Sequence, residues 1–184
     1  MSAMENSCYE INGYIRFVLN GIELLPNPRN GEKRNRNFSG ELRTIQNANG
    51  SFKTEERFAN FVVPADMVDE FYRHDIDMWQ AAEPNEDGSV THFSKMKIKF
   101  NEYTKICMVA PKSKPVQLSE DTIGNLDGIR IRNADVELGR SGSPNKRGKY
   151  SLWVRTLYVY QDLPQDPFAS KFAEFEEPQV DPLF

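Results

Sequence analysis

Hydrophobic and polar positions alternate over short stretches, and most of the chain reads as strands. Residues 11–25 (INGYIRFVLNGIELL) are rich in β-branched and aromatic side chains. Within them Asn20-Gly21 offers a two-residue turn. Arg57 to Val63 is a second strand pattern, and Thr104 to Val109 a further short one. Lys95 to Phe100 alternates cleanly, with Met96, Ile98 and Phe100 on one side and Lys95, Lys97 and Lys99 on the other. Ile129 to Leu138 shifts its apolar phase near Asn133-Ala134, which predicts a β-bulge. Tyr150 to Tyr160 (YSLWVRTLYVY) is the strongest strand pattern, and apolar groups on both faces predict a central position.

One segment changes period. Pro64 suits a helix start, and in the stretch from Pro64 to Gln80 the residues Met67, Val68, Phe71 and Tyr72 fall on one helical face. Ser119 to Leu126 predicts one or two helical turns. The connections read as a loop over Pro26–Asn37, a hairpin tip around Asn49-Gly50, a polar turn over Glu83–Ser89 and a basic, flexible loop over Ser141–Lys149. Five to seven strands with one helix predict an all-β, β-rich class. A small closed Greek-key barrel fits this order better than a helix-covered parallel sheet.

Length then sets the organisation. A chain of 184 residues holds one domain with its own core, plus extensions. No apolar run approaches the roughly 20 residues that cross a bilayer, so no membrane partner is expected. MSAMENSCYE lacks the basic and apolar regions of a secretory signal, which points to the cytoplasm. Cys8 and Cys107 are far apart in sequence and read as reduced thiols.

Charge divides the chain in two. The whole carries −4, yet residues 162–184 hold six acids and one base. Residues 1–161 therefore hold 22 bases and 21 acids. The expectation is a domain over 1–161 and an acidic, flexible tail over 162–184, where Pro164, Pro167 and Pro178 oppose packing. Four of the twelve phenylalanines (Phe168, Phe172, Phe175 and Phe184) lie in that tail. A purely solvating tail would avoid such rings. Asp181, Leu183 and the terminal Phe184 suit a basic-rimmed apolar pocket on a partner.

Three clusters combine bases with rings. The first is Lys33, Arg34, Arg36 and Phe38. The second is Lys95, Lys97 and Lys99, with Phe93 and Tyr103 nearby. The third is Arg130, Arg132, Arg140, Lys146, Arg147, Lys149, Tyr150 and Trp153. Binding a single strand needs cations along the phosphates and flat rings under unpaired bases. A row of lysines is also simply the solvated side of a strand, and most of Phe17, Phe58, Phe61, Phe100, Tyr158 and Tyr160 are expected in the core.

Catalytic readings find less support. His74, His92 and the two cysteines lack metal-site spacing, so no metal and no cofactor are expected. Gly142 to Tyr150 imitates a phosphate loop but has five residues between its glycines, an internal Pro, and Tyr where a Mg²⁺-binding hydroxyl belongs. Nothing resembles a nucleophile elbow. The chain is expected not to be an enzyme.

Several short motifs, taken in order, carry a resemblance. They are Arg36-Asn37-Phe38-Ser39-Gly40, Arg57-Phe58-Ala59-Asn60-Phe61, the helix Ala65 to Arg73, and Met96-Lys97-Ile98-Lys99-Phe100. Leu118 to Ile123, Asp135-Val136-Glu137-Leu138, Gly148-Lys149 and Leu152 to Tyr160 complete the set. Over roughly residues 36–160 the chain resembles bacteriophage single-stranded-DNA-binding proteins, and the acidic tail ending in Phe is similar to theirs. The chain departs from them after the helix, where His74-Asp75-Ile76-Asp77-Met78-Trp79 stands in place of a Gly-Trp-Asn-Val run.

The resemblance implies a five-stranded OB-fold barrel that coats single-stranded DNA, without sequence preference, in phage replication, recombination and repair. It implies a tail that recruits a polymerase, primase or helicase in the host cytoplasm. Phosphates would meet Arg34, Arg36, Lys95, Lys97, Lys99, Arg130, Arg132, Lys146 and Arg147. Bases would stack on Phe38, Trp79, Tyr150 and Trp153. A phage tail or capsid β-barrel and a single-stranded RNA binder stand as alternatives, and homo-oligomers are compatible with each.

Overall fold

The computed structural model describes residues 5–26, 35–40 and 56–162, together with the backbone of 45–46 and 52–53. Strand β1 (Ser7–Ile11) and strand β2 (Tyr14–Ile22) form an antiparallel hairpin. The turn is Asn12-Gly13, with φ of 50° and 81°. Both residues sit in the left-handed region that a two-residue hairpin requires. The expected turn at Asn20-Gly21 lies inside β2 instead. Gly21 has φ 64°, and its N–H donates to Asp135 Oδ1 at 2.8 Å. That stretch is a bulge, where β2 slips register against residues 134–136.

The remaining strands are β3 (Arg36–Asn37), β4 (Ile45–Gln46), β5 (Phe52–Lys53), β6 (Arg57–Val62) and β7 (Met78–Gln80). They continue as β8 (His92–Ile98), β9 (Lys105–Val109), β10 (Val116–Gln117), β11 (Ile131–Arg140) and β12 (Leu152–Gln161). β4 pairs only with β5, and the expected tip at Asn49-Gly50 lies outside the described residues. All other strands belong to one sheet, with the order β1-β2-β11-β12-β8-β6-β3.

That order returns on itself. Beyond β2, Leu24 bridges Phe61 of β6. Leu25 N–H donates to Asn60 O at 2.9 Å, and Val62 N–H donates to Glu23 O at 3.0 Å. The strands β2, β11, β12, β8 and β6 therefore form a ring. Every contact around it is antiparallel except β12 on β8, which is parallel. Further along, β12 pairs in parallel with β9. The Tyr150–Tyr160 pattern thus marks a central strand, as its two apolar faces predict.

Alternation fills the ring. Ile15, Phe17 and Leu19 of β2 point inward with Ala59 and Phe61 of β6, Met96 and Ile98 of β8, and Leu152, Val154, Leu157 and Val159 of β12. Burying side chains of this size contributes about 1.5–3 kcal/mol each. The inward phase of β12 skips at Arg155 because of a second bulge, between Glu137 and Leu138 of the β11 pairing. The shift predicted near Asn133 is also present, between Ile131 and Asn133.

A helix plugs one end. A 3-10 turn (Ala65–Met67) runs into α1 (Val68–Arg73). Phe71 meets Phe17 edge-on at 4.7 Å and Phe61 at 6.4 Å. Tyr72, expected on the same apolar face, is exposed. The helix stops at His74, and Asp75 turns the chain at φ 56°. The residues up to Gln80 become β7, not helix. A second 3-10 segment, Ile123–Gly128, matches the predicted turns and buries Ile123 and Leu126. Among the described residues no helix is long and apolar enough to cross a membrane. The class is strand-rich, with a mixed sheet, as expected for all-β.

Candidate nucleic-acid interface

In a sheet, residues directly opposite one another project to the same face. The register therefore aligns outward side chains into rows. One row crosses six strands: Tyr9 pairs with Arg16, Arg16 with Gly139, Gly139 with Trp153, Trp153 with Lys97, and Lys97 with Phe58. Rings alternate with cations along it, and glycine stands at the crossing of β11.

The contacts within the row are tight. Lys97 Nζ lies 5.6 Å from the centre of the Trp153 ring and 3.6 Å from a Glu56 oxygen. Lys95, two residues along β8, holds Nζ 4.4 Å above the Phe58 ring. Both are within the range of cation–π attraction. At Gly139 a Cβ would stand 3.0 Å from the Arg16 guanidinium, so the glycine makes room for that arginine to lie across β11. Arg16 is also 5.2 Å from the Tyr14 ring.

Beyond Arg16 the row opens into a cleft of about 570 Å³ lined by Tyr9, Tyr14, Arg16, Tyr103, Glu137 and Arg155. Arg155, the extra residue of the β12 bulge, reaches 5.5 Å from the Tyr103 ring. Tyr9 Oη donates to Glu137, and that bond pushes the Tyr9 hydroxyl above its usual pKa. Upstream on β8, Phe93 pairs with Trp79 of β7, their rings 6.0 Å apart and tilted by 30°. Phe93 and Lys97 are four residues apart, about 13 Å along the strand. The outer face of β8 therefore carries Phe93 beside Trp79 of β7, then Lys95, then Lys97 beside Trp153 of β12.

The structure sorts the sequence candidates. Lys95, Lys97, Trp153 and Trp79 share this face, and Trp79 is 42% exposed. Lys99 is exposed just past β8. Arg34, Asp181, Leu183 and Phe184 lie outside the described residues.

Two candidates are corrected outright. Phe38 is fully buried and offers no face to a base. Arg36 is buried too, and its Nη2 donates to Ile129 O at 2.7 Å and Asp127 O at 3.4 Å. Burial lowers the Arg36 pKa, against the pull of Asp127. Around these two, the Asp127 carboxylate accepts from Phe38 N–H at 2.9 Å and Ser39 N–H at 2.8 Å. Arg57 Nη1 donates to Phe38 O and Ser39 O, each at 2.7 Å. Gly40 is needed there, because its φ is 63° and a Cβ would meet Arg57 Cγ at 2.7 Å. Residues 36–40 are a clamp onto the 123–128 turn.

The third sequence cluster separates into two. Arg130 and Arg132 sit at the end of β11 away from Trp153, where Arg132 lines another cleft with Asp135 and Tyr160. Tyr160 Oη donates to Asp135 Oδ2 at 2.8 Å, and burial with this bond pushes its pKa up to about 12. Lys146, Arg147 and Tyr150 belong to the β11–β12 connection, beside the Trp153 end. That connection is built rather than slack. Asn145 Oδ1 accepts from the N–H groups of Arg147 and Lys149 at 2.9 and 3.0 Å. Arg147 pairs with Asp77 at 2.8 Å and Lys149 with Asp75 at 3.7 Å. Tyr150 has Arg140 4.2 Å above its ring, so one of its faces is already occupied.

Sequence reasoning missed Tyr9, Tyr14, Arg16 and Arg155, and Phe58, one of six rings mostly expected in the core, is half-buried. The alternation Ile15-Arg16-Phe17 was a usable signal, since it places Arg16 on the solvent side. The row itself depends on register, which the local pattern does not encode. Compared with known protein families, curated proteins and solved structures, the chain matches none of them.

Proposed function

We propose that this protein binds and coats single-stranded DNA on an OB-fold, without sequence preference and without catalysis. The observation that carries the reading is the outward row Phe58, Lys97, Trp153, Gly139, Arg16 and Tyr9, in which cations and rings alternate across the sheet. Rings on such a face accept any base by stacking, and the cations meet phosphates.

The strand order supports the fold assignment. Taken in chain order, β2, β6, β8, β11 and β12 are the first to fifth strands of the ring. They pair first to second, second to third, third to fifth in parallel, fifth to fourth, and fourth back to first. That circuit supports the OB reading. OB-folds bind oligonucleotides on the face of the second and third strands and on the loops between strands one and two and between four and five. Here those parts are β6 and β8, residues 25–56, and residues 141–151. The second and third sequence clusters send members to β8 and to residues 141–151. The resemblance to phage single-stranded-DNA-binding proteins agrees, and it extends the reading to replication, recombination and repair, with the acidic tail recruiting replication proteins.

The test is a titration of the full chain against labelled oligo-dT, matched duplex and matched single-stranded RNA at two salt concentrations. Tight oligo-dT binding is expected, weakening with salt at a slope near −0.7 per phosphate neutralised. Equal affinity for duplex, or no binding at low salt, overturns the proposal. Tighter binding to RNA than to DNA would make RNA the ligand. Deleting 162–184 should leave DNA affinity equal or higher, because the tail adds only like charge.

A further inference from the structure

On the side of the β1–β2 hairpin away from the row, three metal-capable side chains converge. Cys8 comes from β1, Glu70 from α1, and His74 is the residue that caps α1, four positions on from Glu70. Their donor atoms all lie within 4.8 Å of one another. His74 Nε2 is 3.7 Å from Glu70 Oε2. Two ligands on one tetrahedral zinc ion stand about 3.3–3.6 Å apart. The helix pair is therefore close to ligand spacing, and the Cys8 sulfur lies within 4.8 Å of both.

We propose that Cys8, Glu70 and His74 bind a zinc-class divalent cation. A sulfur, a nitrogen and an oxygen form a borderline-soft set, which suits Zn²⁺ rather than Mg²⁺ or Ca²⁺. The three are half-buried and border a cleft of about 520 Å³, which gives an ion a path in. On binding, the thiol proton leaves to solvent as the sulfur–metal bond forms. Thiolate, carboxylate and dication then sum to zero beside a neutral imidazole.

The ligands are also oriented beforehand. The His74 ring packs against Phe17 at 5.9 Å, and its carbonyl accepts from Arg140 at 3.1 Å. Arg73 holds the other Glu70 oxygen at 2.5 Å. The consequence is mechanical. β1 is an outer strand, mostly exposed, and among the described residues it pairs with β2 alone. A metal bridge would staple it to α1 and fix Tyr9, the next residue, on the opposite face. This inference stands apart from DNA binding and is tested without nucleic acid.

The probe is Co²⁺ added to the reduced full chain, followed by Zn²⁺. We expect one equivalent to give thiolate-to-cobalt charge transfer with tetrahedral visible bands, which Zn²⁺ then abolishes. Cys8→Ser should lose the charge transfer, and Cys107→Ser should keep it, since Cys107 is buried in β9. His74→Gln should lose the tetrahedral bands. Zn²⁺ should raise the melting temperature of the native chain and leave that of Cys8→Ser unchanged. No charge transfer in the folded native chain overturns the proposal, as does a band that survives Cys8→Ser and vanishes in Cys107→Ser.

Discussion

Two regions that look alike in sequence end up with opposite duties. Arg36-Asn37-Phe38 and Lys95 to Trp153 both combine bases with rings. In the first, Arg36 and Phe38 are turned inward and bound by Asp127, Ile129 O and Arg57. In the second, Lys95 and Lys97 lie over Phe58 and Trp153 on the outer face. The difference is set by what lies opposite. Residues 36–40 face the Asp127 carboxylate, which accepts from two backbone N–H groups, and the carbonyls of Asp127 and Ile129, which accept from Arg36 Nη2. The β8 lysines lie over rings of other strands on the outer face, and Lys97 also pairs with Glu56. A basic, aromatic segment in the sequence therefore becomes a buried clamp or an outward row according to what the fold sets opposite it.

The largest effect should come from emptying the clamp. Phe38→Ala removes a fully buried ring and should destabilise the fold by about 3–5 kcal/mol, read as a lower urea midpoint. DNA affinity of the protein that stays folded should not change. Direct loss of affinity with native stability would restore Phe38 as a base platform and erase the distinction. Asp127→Ala should cost about 1–3 kcal/mol, because it leaves the N–H groups of Phe38 and Ser39 without their acceptor. The salt dependence of DNA binding should not move with it.

The outer face should answer in the reverse way. Trp153→Ala should weaken oligo-dT binding by about 1–3 kcal/mol. Its melting temperature should stay near that of the native protein, because Leu152 and Val154 still point inward on either side. If the variant unfolds while a surface control does not, Trp153 belongs with Phe38 and the two regions are alike.

Much of the fold was legible locally. Alternation over Lys95–Phe100 and the strength of Tyr150–Tyr160 located β8 and β12, and the phase shift at Asn133 marked a real bulge. The Asn-Gly pairs show where local reading stops. Asn12-Gly13 and Asn20-Gly21 carry the same turn chemistry, and both glycines have positive φ. Asp135, 114 residues from Gly21, holds the second pair inside a strand. The clamp was hidden for the same reason, since Arg36 meets carbonyls more than ninety residues away. Helical period carried the α1 reading too far, because β7 pairs with β8 and takes Trp79 into the sheet. Two members of the row, Lys97 and Trp153, were visible in the sequence. Its continuation through Gly139 to Arg16 and Tyr9 exists only in the register.

The finest distinction concerns single charges. Lys97→Gln should reduce the salt slope of oligo-dT binding by about 0.7, the loss of one phosphate contact. Stability should barely change, since the exposed pair with Glu56 is worth about 0–1 kcal/mol. Arg132→Gln, on the same sheet but seven residues along β11 from Gly139, should leave the slope as it was. Seven residues of strand span about 23 Å, too far to share a phosphate with Lys97. If both variants lower the slope equally, the DNA path runs the length of β11 instead of across the row. If neither does, the cations over the rings serve to hold the rings in place, and the phosphates are met by the residues 141–151, where Lys146 and Arg147 would be the next pair to neutralise.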